Sequence, residues 1–193
     1  MPRSKQFNEK EVLNKAMELF WQKGFHATSM QDLVTCLGIN RASLYDTFGG
    51  KEALFEAAFE SYRNTCKSGV KQLFDEEDSV RTGFQKLFEK AIQESVEDEC
   101  RKGCFVVNTT TELMPGDASI HQILLENKNQ TEKQFTSYVQ KGIDSGELDA
   151  KKDANEIGMM LFVLFNGIRV LAKVDPDPKK LRAAINSGLS ILN

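Results

Sequence analysis

Proline and histidine are scarce in this chain, with four prolines and two histidines in 193 residues. No Ser/Gly/Pro tract is long enough to serve as a flexible linker, which excludes two independent bodies on a tether. His26 and His121 lie far apart and no Cys-x-x-Cys pair occurs, so no metal site is expected. Cys36, Cys66, Cys100 and Cys104 do not form a disulfide framework in a chain of this size. The opening Met-Pro-Arg-Ser-Lys has no apolar core of a signal peptide, so reduced thiols and a cytoplasmic location are expected. The most apolar stretch, 157–172, is interrupted by Gly158, Asn166, Gly167 and Arg169. It falls short of the roughly 18–20 clean apolar residues of a membrane span, so a helix buried on most sides is expected and no membrane partner. A P-loop, a dinucleotide fingerprint, an HExxH helix and a nucleophile elbow are all missing, as is a recognisable carboxylate pair. No enzyme, no catalytic residue and no cofactor is therefore expected.

What is present is helical periodicity from end to end. Hydrophobic residues make up 40% and charged residues 27%, which fits a soluble globular protein. No alternating strand pattern or Asn-Gly hairpin stands out, so the fold class is all-α with about nine helices. Asn8 with Glu11, and Thr28 with Gln31, have capping-box spacing ahead of the first two helices. The third helix spans about Arg41 to Phe48, between Asn40 as its cap and Gly49-Gly50, and the fourth runs from Lys51 to about Phe74. Further helices are expected near 79–96, 103–114, 117–142, 153–173 and 178–192, separated by Pro115-Gly116, 144–146 and 175–178. Charge is uneven along the chain. Residues 1–51 hold seven Lys/Arg against five Asp/Glu, or +2, which leaves −5 of the net −3 for the remainder. A mildly basic end on an acidic body suits a protein that touches a polyanion with one end only.

The stretch Thr28–Lys51, TSMQDLVTCLGINRASLYDTFGGK, has the layout of a helix-turn-helix. Gly38 supplies the tight turn, and Ile39 and Leu44 plug the angle between two short helices that would not be stable alone. Turning about 100° per residue puts Leu44 and Phe48 on the inner face of the third helix and Ala42, Ser43 and Asp46 opposite, with Tyr45 and Thr47 at the edges. Small outer side chains let a helix backbone approach the floor of a DNA major groove. Arg41 can donate twice to guanine or hold a phosphate, and the Tyr45 and Thr47 hydroxyls suit phosphate oxygens. Lys51 and the helix start at Thr28 suit phosphates too, while Asp46 can accept from a cytosine amino group. The other reading is that Leu44, Tyr45 and Phe48 are simply the core of a small bundle, and for Leu44 and Phe48 that reading is adopted.

The run LGINRASLYDTFGGKEALF resembles the signature of TetR/AcrR transcriptional regulators, and AMELFWQKGFHATSMQDL is similar to the family's first two helices. The resemblance covers roughly residues 8–60. It implies an N-terminal three-helix DNA-binding domain, residues 1–50, and a C-terminal effector-binding and dimerisation domain, residues 51–193. By resemblance, Thr28, Arg41, Ala42, Ser43, Tyr45, Thr47 and Lys51 fall at DNA-contacting positions. Asn40 stands where Ser is more usual, and Asp46 and Thr47 fill positions that vary between members. Repression, with release of the DNA by a small-molecule effector or by thiol modification, is the behaviour implied. The alternative from another class is a helical ligand or redox sensor that does not bind DNA.

In the C-terminal part, Ile157, Met160, Leu161, Leu164, Ile168 and Leu171 form one stripe, and Met159, Phe162, Val163 and Phe165 make that helix apolar almost all round. Burial against both its own domain and a second copy explains such a helix. The last helix adds Leu181, Ile185, Leu189 and Leu192, so a homodimer through the last two helices is expected. Two recognition helices about 34–36 Å apart then call for double-stranded DNA with a near-palindromic operator. The resemblance places an effector pocket among the fourth to eighth helices, with Cys104, Phe105, Asn108, Thr109, Glu112, Phe162 and Asn166 as candidate lining; ordinary core packing is the competing role for each. Cys104 at a helix start beside Arg101 and Lys102 has the setting of a reactive thiolate, with Lys173 as a further neighbour. The segment GCFVVNTTTEL resembles a branch of the family, some of whose members sense electrophiles or oxidants through a cysteine. A small apolar filler at a helix junction is the favoured reading of Cys104.

Overall fold

Six of the described helices start where the sequence supplies a side-chain acceptor for their free amides, while those that follow Gly50 and Cys104 begin without one. In the computed structural model, which describes residues 7–114, 116 and 118–193, the elements are α1 (Glu9–Lys23), α2 (Met30–Leu37), α3 (Arg41–Phe48), α4 (Lys51–Glu76), α5 (Val80–Glu97), α6 (Phe105–Leu113), α7 (Ala118–Asp144), α8 (Ala154–Val174) and α9 (Pro178–Leu189), closed by a 3-10 turn (Ser190–Leu192). Among the described residues there is no strand. Pro115 and Asp117, expected at the break before α7, lie outside the described residues. Asn8, Asn40, Ser79, Asp153 and Asp177 cap α1, α3, α5, α8 and α9. The expected partner of Asn8 turns elsewhere, since Glu11 pairs with Lys15 at 3.0 Å.

The cap of α2 differs from the expectation. Thr28 is fully buried and its hydroxyl donates to the Gly24 carbonyl at 2.6 Å, which turns the side chain toward α1 and away from the amides of α2. The capping box forms one residue later: the Ser29 amide donates to the Asp32 carboxylate at 2.8 Å, and the Asp32 amide donates to the Ser29 hydroxyl at 3.1 Å. Lys23 reaches the same carboxylate at 2.9 Å. With Lys23 and the Ser29 hydroxyl on it, Asp32 is held well below the usual carboxylate range.

Two hydrophobic cores follow, and the boundary between them lies inside α4. The first joins Val12, Ala16 and Phe20 of α1, Leu33 and Leu37 of α2, Ile39 of the turn and Leu44 of α3 to Leu54, Phe55, Ala58 and Phe59 of α4. Phe105 and Leu113 of α6 and Ile120 and Leu124 of α7 belong to this core as well. The second gathers Phe74, near the end of α4, with the inner faces of α5, α7, α8 and α9. Helix α4 is therefore a single rod shared by both bodies.

Helix α8 lies against α7, α5 and α9. An 18-residue window of its 21 residues has a mean hydropathy of 1.8, apolar enough by composition to cross a bilayer, a test that core helices of soluble proteins also pass. Packing within the C-terminal body accounts for one face only. The expected single stripe splits in two: Ile157, Leu161 and Ile168 point inward with Phe165 and Ala172, whereas Met160, Val163 and Leu171 stay exposed with Val170 and Val174. Val163 is 60% and Leu171 62% exposed, and five of the eight exposed large hydrophobic residues among the described residues lie on this strip.

Candidate nucleic-acid interface and effector cavity

Helix α3 is short, and the two glycines that end its neighbouring turns fix how it is presented. Gly38 adopts φ +68 and ψ 23, the left-handed conformation that only glycine takes without a steric cost, and the chain reverses there between α2 and α3. Asn40 then caps the Ser43 amide at 2.8 Å. Leu44 is fully buried and is the anchor that seats the helix, while Phe48 is only half-buried. Opposite Leu44, Arg41, Ala42, Tyr45 and Asp46 are exposed, and Ser43 and Thr47 are half-buried. The Arg41 guanidinium lies 5.7 Å from the Tyr45 ring, and no hydrogen bond or ion pair holds Arg41 or Asp46 among the described residues. Lys51, half-buried at the start of α4, lies with its ammonium 4.3 Å from the Phe25 ring. Thr28 does not share this face, because its side chain is spent on Gly24. What this arrangement offers is a water-facing helix with small and hydrogen-bonding side chains, held at one end of the molecule.

The second feature is a cavity of about 1090 Å³ between α4, α5, α6, α7 and α8. Of the candidate pocket residues, Cys104, Phe162 and Asn166 line this cavity and Phe105, Asn108, Thr109 and Glu112 do not. The cavity takes the other face of α6, through Val106, Val107, Thr110 and Thr111. Phe105 is buried among Phe55, Phe59 and Tyr62 with edge-to-face contacts at 5.3 to 5.8 Å. Thr109 is buried with its hydroxyl unpaired. Asn108 donates to the Lys102 carbonyl at 2.7 Å and accepts from Lys173 at 3.1 Å, so Lys173 engages Asn108 and not Cys104. The group that does reach Cys104 is Arg169, whose Nη1 lies 3.3 Å from Sγ.

Sequence reasoning missed Arg169, Tyr62, Cys66 and Trp21, all of which line the cavity. Arg169 was read only as a break in an apolar run. A signal was available, for no acid sits three or four residues from Arg169 on α8 to neutralise it. Burial pushes the Tyr62 phenol well above its usual range and raises the Cys66 thiol.

Glu112 belongs to a third feature, the seam between the two bodies. Its carboxylate accepts from the Phe25 amide at 3.1 Å and the His26 amide at 2.7 Å, where α1 hands over to α2. A Cβ on Gly24 would lie 2.7 Å from the same carboxylate, so only glycine leaves room for this contact. Alongside, the Trp21 indole donates to the Gly103 carbonyl at 2.9 Å and Lys102 pairs with Glu18 at 2.8 Å. The 100–104 loop and α6 thus face the cavity on one side and grip α1 on the other.

Residues 12–58 match the family model described as bacterial regulatory proteins, tetR family, and residues 83–187 match the one described as Tetracyclin repressor-like, C-terminal domain. This chain belongs to the TetR family. An HTH-type transcriptional regulator of Bacillus subtilis, YezE, is 30% identical over the whole of both chains. The HTH-type transcriptional repressor ComR of Escherichia coli is 31% identical, with 93% of this chain and 86% of ComR covered. Among solved structures, the TetR family regulator CifR, a cysteine mutant complexed with 26-bp double-strand operator DNA, superposes with a TM-score of 0.89 at 26% identity, covering 99% of this chain and 100% of CifR. As a TetR-family member the chain is a transcriptional regulator with an N-terminal helix-turn-helix and a helical C-terminal domain.

Proposed function

We propose that two copies of this chain bind one near-palindromic operator and repress transcription, and that occupation of the cavity releases the DNA. Residues 1–50 act as the DNA-reading domain and residues 51–193 as the effector and dimerisation domain, at work in the cytoplasm. The observation that carries the reading is α3 itself, fastened from below by Leu44 with Arg41, Ala42, Tyr45 and Asp46 turned to water. Arg41, Ala42 and Ser43 at its start face base edges; Tyr45, Thr47 and Lys51 take phosphates. At α2 the backbone amides, not the Thr28 side chain, meet a phosphate. The operator DNA in the CifR complexes supports the docking, and the repressor name of ComR supports the sign.

The exposed strip Met160, Val163, Val170, Leu171 and Val174 supports a dimer through α8 and α9, since an apolar strip of this length is otherwise left in water. Release follows from the seam: a ligand that moves α6 or the 100–104 loop pulls on Glu112 and Trp21, and these hold α1. Thiol modification is a second trigger, favoured by Cys104 on the cavity wall.

The test is retardation of DNA taken from upstream of the protein's own gene. A shift is expected, with affinity falling as salt rises because phosphate contacts release counterions. Tyr45→Ala should weaken the complex by about 1.5–3 kcal/mol through loss of a phosphate contact while the dimer persists. No shift with any nearby promoter, or an unweakened Tyr45→Ala complex, contradicts the docking. Cys104→Ser should abolish release by N-ethylmaleimide and spare basal binding; unchanged release removes the thiol trigger.

A further inference from the structure

The cavity is mostly apolar, yet two guanidinium groups line it, and none of the acids that also line it, Glu94, Glu97, Asp98 and Glu99, pairs with either. Arg63 donates from Nη1 to the Ile123 carbonyl at 3.0 Å, while its Nε is buried without a partner. Arg169 makes one hydrogen bond, to Cys104 Sγ at 3.3 Å, and otherwise stacks 4.3 Å from the Phe165 ring. Among the described residues no carboxylate lies within ion-pair distance of either arginine. By contrast, Arg182 on the outer surface is paired with Glu89. A thiol is a weak acceptor, so Arg169 carries its charge into a poorly solvated wall with little to balance it. The acid whose field reaches it is Glu94, which lies 4.0 Å from Lys90.

We infer that the cavity binds a small organic carboxylate with an apolar body, the carboxylate pairing with Arg169 and the body lying along Val70, Leu73, Phe162 and Phe165. This deepens, and rests on, the reading of the cavity as the effector site. A planar guanidinium fits a carboxylate through two parallel hydrogen bonds. Tyr62, on the same wall and kept protonated by burial, is placed to donate as well. A neutral ligand would expel water and leave both arginines unmatched, and a cationic one would set its charge against theirs. At about 1090 Å³ the space exceeds what a bare inorganic anion fills, so the apolar part of the ligand must supply much of the contact.

Trp21, the only tryptophan, lies on the cavity wall and reports occupancy without any DNA present. Octanoate, octanol and octylammonium, titrated in turn at millimolar concentration against the free protein, give the direct comparison by Trp21 fluorescence and calorimetry. Octanoate should bind at least about tenfold more tightly than octanol, and octylammonium should not bind. Arg169→Met should bring octanoate down to the octanol level without changing octanol, and Arg169→Lys should restore part of the preference. Equal binding of octanoate and octanol to the unaltered protein overturns the inference, as does no octanoate binding, or octanoate affinity that survives in Arg169→Met. The wild-type comparison decides even if the Met variant folds poorly. Octanoate that binds but leaves the operator complex intact contradicts ligand release and leaves the carboxylate site standing.

Discussion

Unpaired polar side chains occur in both bodies of this regulator, and they mean different things in each. On α3, Arg41 and Asp46 lack protein partners but are bathed in water, so leaving them free costs almost nothing and keeps them available to a duplex. On the cavity wall, Arg63 and Arg169 make no ion pair among the described residues and lie against apolar side chains, where an unmatched charge is costly. The first body holds a helix up to solvent; the second holds two arginines without ion-pair partners on a cavity wall. The contacts of Glu112 and Trp21 join the two bodies.

The comparison can be broken most forcefully at the seat of α3. Leu44→Ala removes the side chain that fastens the helix, and should lower unfolding free energy by about 2–5 kcal/mol in chemical denaturation. An effect below 1 kcal/mol, with DNA binding kept, would mean that α3 is not held as described. Next in size is the outward strip of α8. Val163→Glu with Leu171→Glu should give monomers in analytical ultracentrifugation and weaken operator binding by about a hundredfold or more, because the two reading heads lose their shared anchorage. Stable dimers in the double variant would place the interface elsewhere.

The seam comes third. Glu112→Gln keeps the shape but removes the charge behind two amide contacts, and should reduce stability by about 1 kcal/mol. Its sharper signature is functional, since basal operator binding should persist while release on cavity occupation is blunted. Full release in this variant would move the coupling to the Trp21–Gly103 contact or to α4. The smallest effect is on acid stability. Asp32 sits below its ordinary value of 3.8 in the folded chain, so its contribution is present above that pH and is lost as pH falls below it. Asp32→Asn should therefore flatten the acid-side decline in melting temperature and leave the neutral-to-alkaline side unchanged in slope. An identical acid profile would show that the Lys23–Asp32–Ser29 cluster contributes nothing to that decline.

How far the sequence could be read differs between the bodies for physical reasons. Gly38, Asn40 and Gly49 act locally, through backbone conformation and one capping bond, so the limits of α3 could be read directly. Thr28 misled because a hydroxyl that looks like a cap was needed inward by Gly24. Helix α6 shows the harder problem. Its two faces, Phe105, Asn108, Thr109 and Glu112 on one side and Val106, Val107, Thr110 and Thr111 on the other, are nearly alike in polarity. Periodicity finds such a helix but does not say which face turns to the cavity. Helix α8 repeats the difficulty, being apolar on the side that meets its own domain and on the side that does not. The seam contacts join residues 80 or more positions apart, and no local pattern announces them.

The most direct measurement is selection of binding sites from a pool of random-sequence duplex DNA, with the wild-type protein and Arg41→Ala, which lacks a side chain assigned to base edges, run side by side. The wild type should enrich a near-palindrome whose half-sites are centred about one helical turn, roughly 10–10.5 base pairs or a multiple of it, apart, and Arg41→Ala should relax the enriched sequence at the base that Arg41 meets in each half-site. A pool that stays random, or one that converges on the same sequence with both proteins, would contradict the assignment of α3 as the helix that reads DNA.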